Sequence, residues 1–236
     1  MKKTLILLFY LLVVISISGC KKDKDDDEND DDINDNTNVT LDPITDIDGN
    51  TYKIVKIGNQ TWMAENLKTT RYSNGDSIPV TEDNLLWKQG VNGVSCYYDN
   101  NPANKDTFGM LYNYYALKDS RNACPNGWRV PTTGDWVTLI DYLGGSSVAG
   151  QKLKATTGWE GETGVGANIG GFSAYPAGLR NQNGGFNYMG RYAYFWTSTE
   201  LDSNNAWVYN IDKGVAEIYV YDEVKLYGHS CRCIKN

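Results

Sequence analysis

The chain has 236 residues and a formal net charge of −7, from 22 basic against 29 acidic side chains. That balance offers no basic stripe, so capture of nucleic acid as the main function is excluded. Seventeen tyrosines, seven tryptophans and 24 glycines point to a loop-rich domain in which long helices are scarce. The N-terminus reads Met1-Lys2-Lys3 and then an apolar run from Leu5 to Ile17, 13 residues long. About 20 residues are needed to span a bilayer as a helix, so this run is expected to be a signal peptide rather than a permanent span.

Ile17-Ser18-Gly19-Cys20 resembles the lipobox of bacterial lipoproteins: an aliphatic residue, two small ones, then cysteine. The resemblance implies that residues 1–19 are removed and that Cys20 becomes a lipidated N-terminus, palmitate included. Several acyl chains on one residue hold a membrane where a single chain does not. Residues 21–40 contain nine acids and three lysines, a net of −6. Like charges repel and almost nothing apolar is available to bury, so residues 20–45 are expected to form a disordered tether. Its acidic run, placed directly behind Cys20, resembles the surface-export signals of Bacteroidetes-type lipoproteins. The expected address is the outer membrane, at the cell surface.

From residue 46 onward, one domain is expected. Tyr52 to Ile57 and Gln60 to Met63 read as a hairpin across Gly58-Asn59, two residues that tolerate positive φ. Residues 71–107 carry turn residues without periodicity and read as a long loop. Phe108 to Leu117 reads as a short helix. Thr132 or Thr133 caps a better one, with Trp136, Leu139, Ile140 and Leu143 on one face, Asp135 closing a relaxed capping box and Gly144-Gly145 as the stop. Val148 to Thr156 reads as another short helix. Glycine and asparagine dominate residues 158–191. The end is strand-like over 193–199, 206–211, 216–220 and 227–234. Early strands, central helices and returning strands give an α+β class with segregated helices.

Four cysteines remain beside Cys20: Cys96, Cys124, Cys231 and Cys233. An even set in an exported chain points to disulfides. Cys231 and Cys233 face one side of a strand and reach outward, which favours Cys124–Cys233 with Cys96–Cys231, the crossed pairing standing second. A zinc site lacks a second spaced pair of ligands. No cofactor is expected.

A set of short motifs occurs in order: Asp48-Gly49-Asn50-Thr51-Tyr52, Gly58-Asn59-Gln60-Thr61-Trp62-Met63-Ala64-Glu65-Asn66-Leu67, Gly109-Met110-Leu111-Tyr112-Asn113, Cys124-Pro125-Asn126-Gly127-Trp128-Arg129-Val130-Pro131-Thr132, Trp196-Thr197-Ser198-Thr199 and Arg232-Cys233-Ile234. Together they resemble the Fibrobacter succinogenes major paralogous domain, over residues 46–236. More distantly, Gly-Trp-Arg-Val-Pro-Thr before a tryptophan-bearing helix is similar to formylglycine-generating-enzyme-like domains. That similarity implies a C-type-lectin-like fold with a long glycine- and aromatic-rich loop region and with terminal strands paired in one sheet.

Three functions compete. A binding domain would use loop aromatics, Trp159, Tyr188, Tyr192 and Tyr194, to stack on an extracellular glycan or protein. The calcium-lectin signatures Glu-Pro-Asn and Trp-Asn-Asp are absent from the sequence. A structural or adhesive surface module needs only folded presentation on a tether. An enzyme, either a hydrolase or a copper-type oxidase, would have to use Cys231 and Cys233 at too short a spacing, His229 with Cys231, or carboxylates among Glu160, Glu162, Glu200 and Asp202. The expectation is binding without catalysis, with the membrane reached through the lipid on Cys20.

Overall fold

The computed structural model describes residues 41–161 and 166–236, which belong to one compact unit beginning at Val39. Cys20, the apolar leader, the acidic run and Glu162 lie outside the described residues. In chain order the elements are β1 (Ile44–Thr45), β2 (Thr51–Tyr52), β3 (Ile54–Ile57), β4 (Gln60–Met63), α1 (Asn84–Lys88), β5 (Ser95–Cys96), α2 (Lys105–Phe108), β6 (Leu111–Tyr112) and α3 (Tyr114–Lys118). There follow β7 (Trp128–Arg129), α4 (Thr133–Tyr142), α5 (Ser146–Leu153), β8 (Leu179–Arg180), β9 (Phe186–Asn187), β10 (Tyr192–Glu200), β11 (Asn205–Asp212), β12 (Ile218–Val224) and β13 (Ile234–Lys235). Helices and small antiparallel sheets are both present, so the α+β class holds, but the helices are not segregated: α1, α2 and α3 alternate with β5, β6 and β7.

The first sheet has the order β3-β4-β13-β7. Its hairpin pairs Ile54 with Met63 and Ile57 with Gln60 across Gly58-Asn59, and only Gly58 takes positive φ (+58°). A side chain at Gly58 would also meet the Tyr142 ring, 2.8 Å from an added Cβ. Ile234 pairs with both Trp62 and Arg129, so the last strand sits between the initial hairpin and the middle of the chain. The terminal strands therefore share one sheet, as expected.

The second sheet is the meander β10-β11-β12. One face packs on α4, where Trp136 stacks on Tyr209 at 4.9 Å and meets Trp62, Phe172 and Phe195 at 5.3 to 5.7 Å. Tilted and edge contacts of this kind add about 0.5–1.5 kcal/mol each beyond the area they bury. On the opposite face Trp196 and Val208 enter a separate core with Tyr112 and Tyr114, and Trp196 Nε1 donates to the Tyr112 carbonyl. The sheet is thus a wall between two cores.

α4 starts as its sequence dictates. Thr132 and Asp135 complete a capping box, and Arg129 grips the same carboxylate with two hydrogen bonds, Nη1 at 2.6 Å and Nη2 at 2.8 Å. Burial alone would raise the Asp135 pKa, but Arg129 and the Thr132 donors bring it down to about 2. At the other end the Gly145 amide donates to the Ile140 carbonyl, closing the helix at positive φ.

Several expectations are corrected. Residues 44–45 pair with 51–52, so the fold takes in the last residues assigned to the tether. There the Asp46 carboxylate accepts from the Asp48 and Asn50 amides and the Tyr52 hydroxyl, which ties the two strands. The helix expected over 108–117 is the strand β6 followed by α3, because the Asn113 side chain accepts from the Ala116 amide and starts the helix there. Residues 71–107 include α1, β5 and α2. Residues 227–234 form bridges at Gly228, His229 and Ser230 to three different segments rather than one long strand.

Cys124 and Cys233 are joined, with Cα atoms 6.0 Å apart. The second expected disulfide is absent: Cys96 and Cys231 are free, buried thiols. The reason is positional. Cys231 does face the same side as Cys233, but its sulfur lies within 4.8 Å of the Cys124–Cys233 pair, whereas Cys96 belongs to another cluster with Trp87 and Leu111.

Three buried cations do comparable cross-linking. Arg232 donates to Asn66 Oδ1 and to the carbonyls of Met63, Phe172 and Ser173. Arg180 donates to the Thr81, Glu82 and Gly184 carbonyls and to Asn84. Lys154 donates to the Lys213 and Val215 carbonyls. Each spends a full charge on neutral acceptors from distant loops, so those loops are held by geometry that a smaller donor would not span.

Candidate functional site

Successive strand residues point to opposite faces, and directly paired residues share a face. Tyr192, Tyr194 and Trp196 of β10 therefore share a face with Asp212, Asn210 and Val208 of β11. Across β11, Tyr219 lies opposite Asn210, Tyr221 opposite Val208 and Glu223 opposite Ala206. The Trp196 end of this face is core. The face is open at its Tyr192 end, with Tyr188 51% and Tyr219 45% exposed and Tyr192 half-buried. Along the β12 edge beside Trp196, the side chains of Tyr221, Glu223 and the nearby Tyr227 are half-buried.

The rings form a continuous array. Tyr188 meets Tyr192 at 5.3 Å and 86°, Tyr192 meets Tyr194 at 5.6 Å, and Tyr194 meets Tyr221 at 6.5 Å and 86°. Beneath them the buried His229 ring lies 5.1 Å from Tyr194, 4.8 Å from Trp196 and 6.0 Å from Tyr227. Tyr188 itself adopts φ +69°, a conformation unusual for a bulky side chain and costly by about 1–2 kcal/mol.

The charges around the rings are mixed, with the Arg191 guanidinium 5.0 Å from the Tyr192 centroid. Burial, then the neighbouring Tyr192 and Tyr188, push the Tyr194 hydroxyl pKa up; burial, Tyr194 and Glu223 do the same to Tyr221. Both stay protonated, and their hydroxyls hydrogen-bond to each other. Burial and the adjacent Asp222 raise the Glu223 carboxyl, partly offset by its hydrogen bond from the Val224 amide. No lysine or arginine among the described residues forms an ion pair with Glu223. Burial holds His229 down at about 3, so it is neutral, and neither ring nitrogen has a hydrogen-bond partner.

Three of the four aromatics expected to bind, Tyr188, Tyr192 and Tyr194, are thus brought together, but only Tyr188 and Tyr192 reach the surface, since Tyr194 is 6% exposed and packs in the core. Trp159 is not among them: it is buried, 7% exposed, and its ring packs under the Lys154 ammonium at 5.4 Å. Tyr221, Tyr227 and Glu223 join the face only because β12 pairs with β11 and the C-terminal segment passes beneath. The alternation of Tyr219, Tyr221 and Glu223 is the sequence signal that marks them.

The groups considered for catalysis do not converge in this way. His229 makes no hydrogen bond to Cys231, whose thiol is pushed up to about 12 by burial. Glu160 pairs with Lys213, Glu200 with Lys118 and Lys225, and the Asp202 carboxylate accepts from the Asn204 and Asn205 amides. The sulfurs of Cys124, Cys231 and Cys233 are close enough to share an ion, but two of them are spent in the disulfide.

The motifs Asn59-Gln60-Thr61-Trp62-Met63 and Cys124 to Thr132 now have places: the first forms β4 and the second supplies the disulfide, β7 and the α4 cap. A family model described as Fibrobacter succinogenes major domain matches residues 55–235. The chain belongs to that family. The match runs from β3 to β13 and so takes in both sheets and the whole tyrosine face. No curated protein and no solved structure matches the chain. Among the described residues no helix is long and apolar enough to cross a membrane.

Proposed function

We propose that this protein is a lipoprotein anchored in the outer membrane through Cys20, displayed at the cell surface, whose domain binds an extracellular ligand without catalysis. The tyrosine face carries the reading: the rings of Tyr188, Tyr192, Tyr194 and Tyr221 run in an unbroken chain from the exposed Tyr188 to the buried Tyr194 and across to β12, with Tyr194 and Tyr227 resting on the buried His229. Protonated phenols offer a flat ring and a hydroxyl together, which suits a sugar ring better than an aliphatic peptide surface. A glycan is the favoured ligand.

The pairing of the first hairpin with the last strand supports a C-type-lectin-like domain that presents this face. The acidic run of residues 21–40 supports a tether carrying the domain clear of the membrane. The alternative is a purely structural or adhesive module, which would give the exposed Tyr188 no role.

The test is a glycan and surface-protein array probed with the full chain in a non-ionic detergent, beside a Tyr188→Ala variant. Glycan spots retained by the wild type and lost by the variant are expected. Protein spots alone would replace the glycan by a protein partner, and a blank array would leave the structural module as the better account. Protease digestion of intact cells tests the address: neutral residues in place of Asp25–Asp32 should protect the domain from digestion.

A further inference from the structure

Three sulfurs meet where the middle of the chain joins its end. The Sγ atoms of Cys124, Cys231 and Cys233 all lie within 4.8 Å of one another, and the three residues are fully buried in one cluster. Cys124 and Cys233 are bonded, and Cys231 is a free thiol. Cys96 packs elsewhere, with Trp87 and Leu111. A thiol packed against a disulfide is a nucleophile beside its electrophile.

The main chain holds all three in place. The Met63 amide donates to the Cys233 carbonyl at 3.0 Å and the Leu67 amide to the Cys231 carbonyl at 2.9 Å, while the Cys124 amide donates to Asn122 Oδ1. A change of partner by Cys124 therefore asks for side-chain rotation on a fixed backbone. The loop closed would be nearly the same length, so loop entropy does not choose between the partners. The two bonds tie different parts of the fold. Cys233 precedes Ile234, which pairs with Trp62 and Arg129 in the first sheet. Cys231 follows Ser230, whose amide donates to the Tyr194 carbonyl and whose carbonyl accepts from the Trp196 amide, at the base of the tyrosine face.

We propose that Cys231 is an internal exchange nucleophile that gives the domain two oxidised forms, one tied beside β13 and the other beneath the tyrosine face. The Cys231 thiolate attacks Cys124 Sγ. The Cys124–Cys231 bond forms as the Cys124–Cys233 bond breaks, and the electron pair leaves on Cys233, which takes up the proton that Cys231 lost. There is no net oxidation, so no outside oxidant or reductant is consumed. Burial pushes the Cys231 thiol up to about 12, against the pull of the adjacent Arg232 charge, and the buried Tyr112 hydroxyl that also interacts with it stays protonated. The Cys124–Cys233 form therefore persists at neutral pH, and mild alkali speeds the exchange.

The full chain in non-ionic detergent is held folded in mild alkali and sampled over time into acidic denaturant with excess N-ethylmaleimide, where thiolate is too scarce for exchange. Peptide masses then read which sulfurs are bonded. At the start Cys231 should carry label and Cys233 none. Chains with a Cys124–Cys231 link and a labelled Cys233 should then rise above about one in twenty and level off. Cys231→Ser should leave Cys233 unlabelled throughout, with Cys231→Ala in its place if the serine variant does not fold. Cys233→Ser should carry the Cys124–Cys231 bond from the start. A Cys233 label that stays below that level in the wild type, or that appears equally without Cys231, overturns the proposal. So does a Cys233→Ser chain labelled at both Cys124 and Cys231.

Discussion

Tyr194 of β10 and Tyr221 of β12 stand on strands separated by β11, yet their rings meet at 6.5 Å and 86° across it. The contact is diagonal, because Tyr194 lies opposite Asn210 while Tyr221 lies opposite the next residue on that face, Val208. Two strands of the meander therefore build one aromatic corner that neither could form alone. Tyr221→Phe should change stability by under about 1 kcal/mol, and Tyr221→Ala should cost about 2–3 kcal/mol, as read by urea denaturation.

Tyr188 separates function from stability. Its positive φ costs the folded state, and its ring contact with Tyr192 offsets part of that cost. Tyr188→Asn should leave stability within about 1 kcal/mol of the wild type, since asparagine tolerates this conformation, while ligand retention falls. Thermal denaturation beside array binding reads the two effects independently.

The thiol pattern is specific. Unfolded without reductant, the chain should be alkylated at Cys96 and Cys231 and not at Cys124 or Cys233, as read from peptide masses. Protection of all four would restore the second disulfide. Cys124→Ser should destabilise by about 2–5 kcal/mol, because the bond closes a loop with a sequence separation of 109.

Arg232 is fully buried, with Asn66 and three carbonyls as its acceptors, and burial lowers its pKa to about 9. Arg232→Lys keeps a charge but cannot reach all of them. It should cost about 2–4 kcal/mol, more than Lys213→Ala, whose surface ion pair with Glu160 is worth about 0–1 kcal/mol. Chemical denaturation of the two variants checks the order.

Acid should weaken the α4 cap. Asp135 titrates at about 2 in the folded chain against an ordinary 3.8, so the folded state binds fewer protons between those values. Its contribution is complete above the unfolded value and is lost as pH falls through about 2. Asp135→Asn should remove about 1 kcal/mol at neutral pH and flatten the acid limb of the stability curve, as measured by denaturation from pH 5 to pH 2.

Local chemistry was the legible part of this fold. The α4 capping box, the Gly58 turn and the three late strands follow from residues adjacent in the chain, and the structure places them within a few residues of their expected bounds. Long-range pairing was only partly legible. Cys124–Cys233 could be argued from spacing and the union of the termini only from the fold that the distant resemblance implies, while the position of Cys96 depends on β5–β6 pairing, which no spacing reveals. The site shows the same division. Tyr192 and Tyr194 could be nominated as aromatics of a glycine-rich region, whereas Tyr221 reaches Tyr194 only through the β11–β12 register. Trp159 was misplaced because aromatic type does not reveal which side of a loop is buried against Lys154.

The central claim, that the tyrosine face holds a ligand, is tested most directly by the array with wild-type chain and Tyr188→Asn compared at equal folded concentration. The account predicts glycan spots that the wild type retains and the variant loses. Equal retention by both proteins, or none by either, would contradict it.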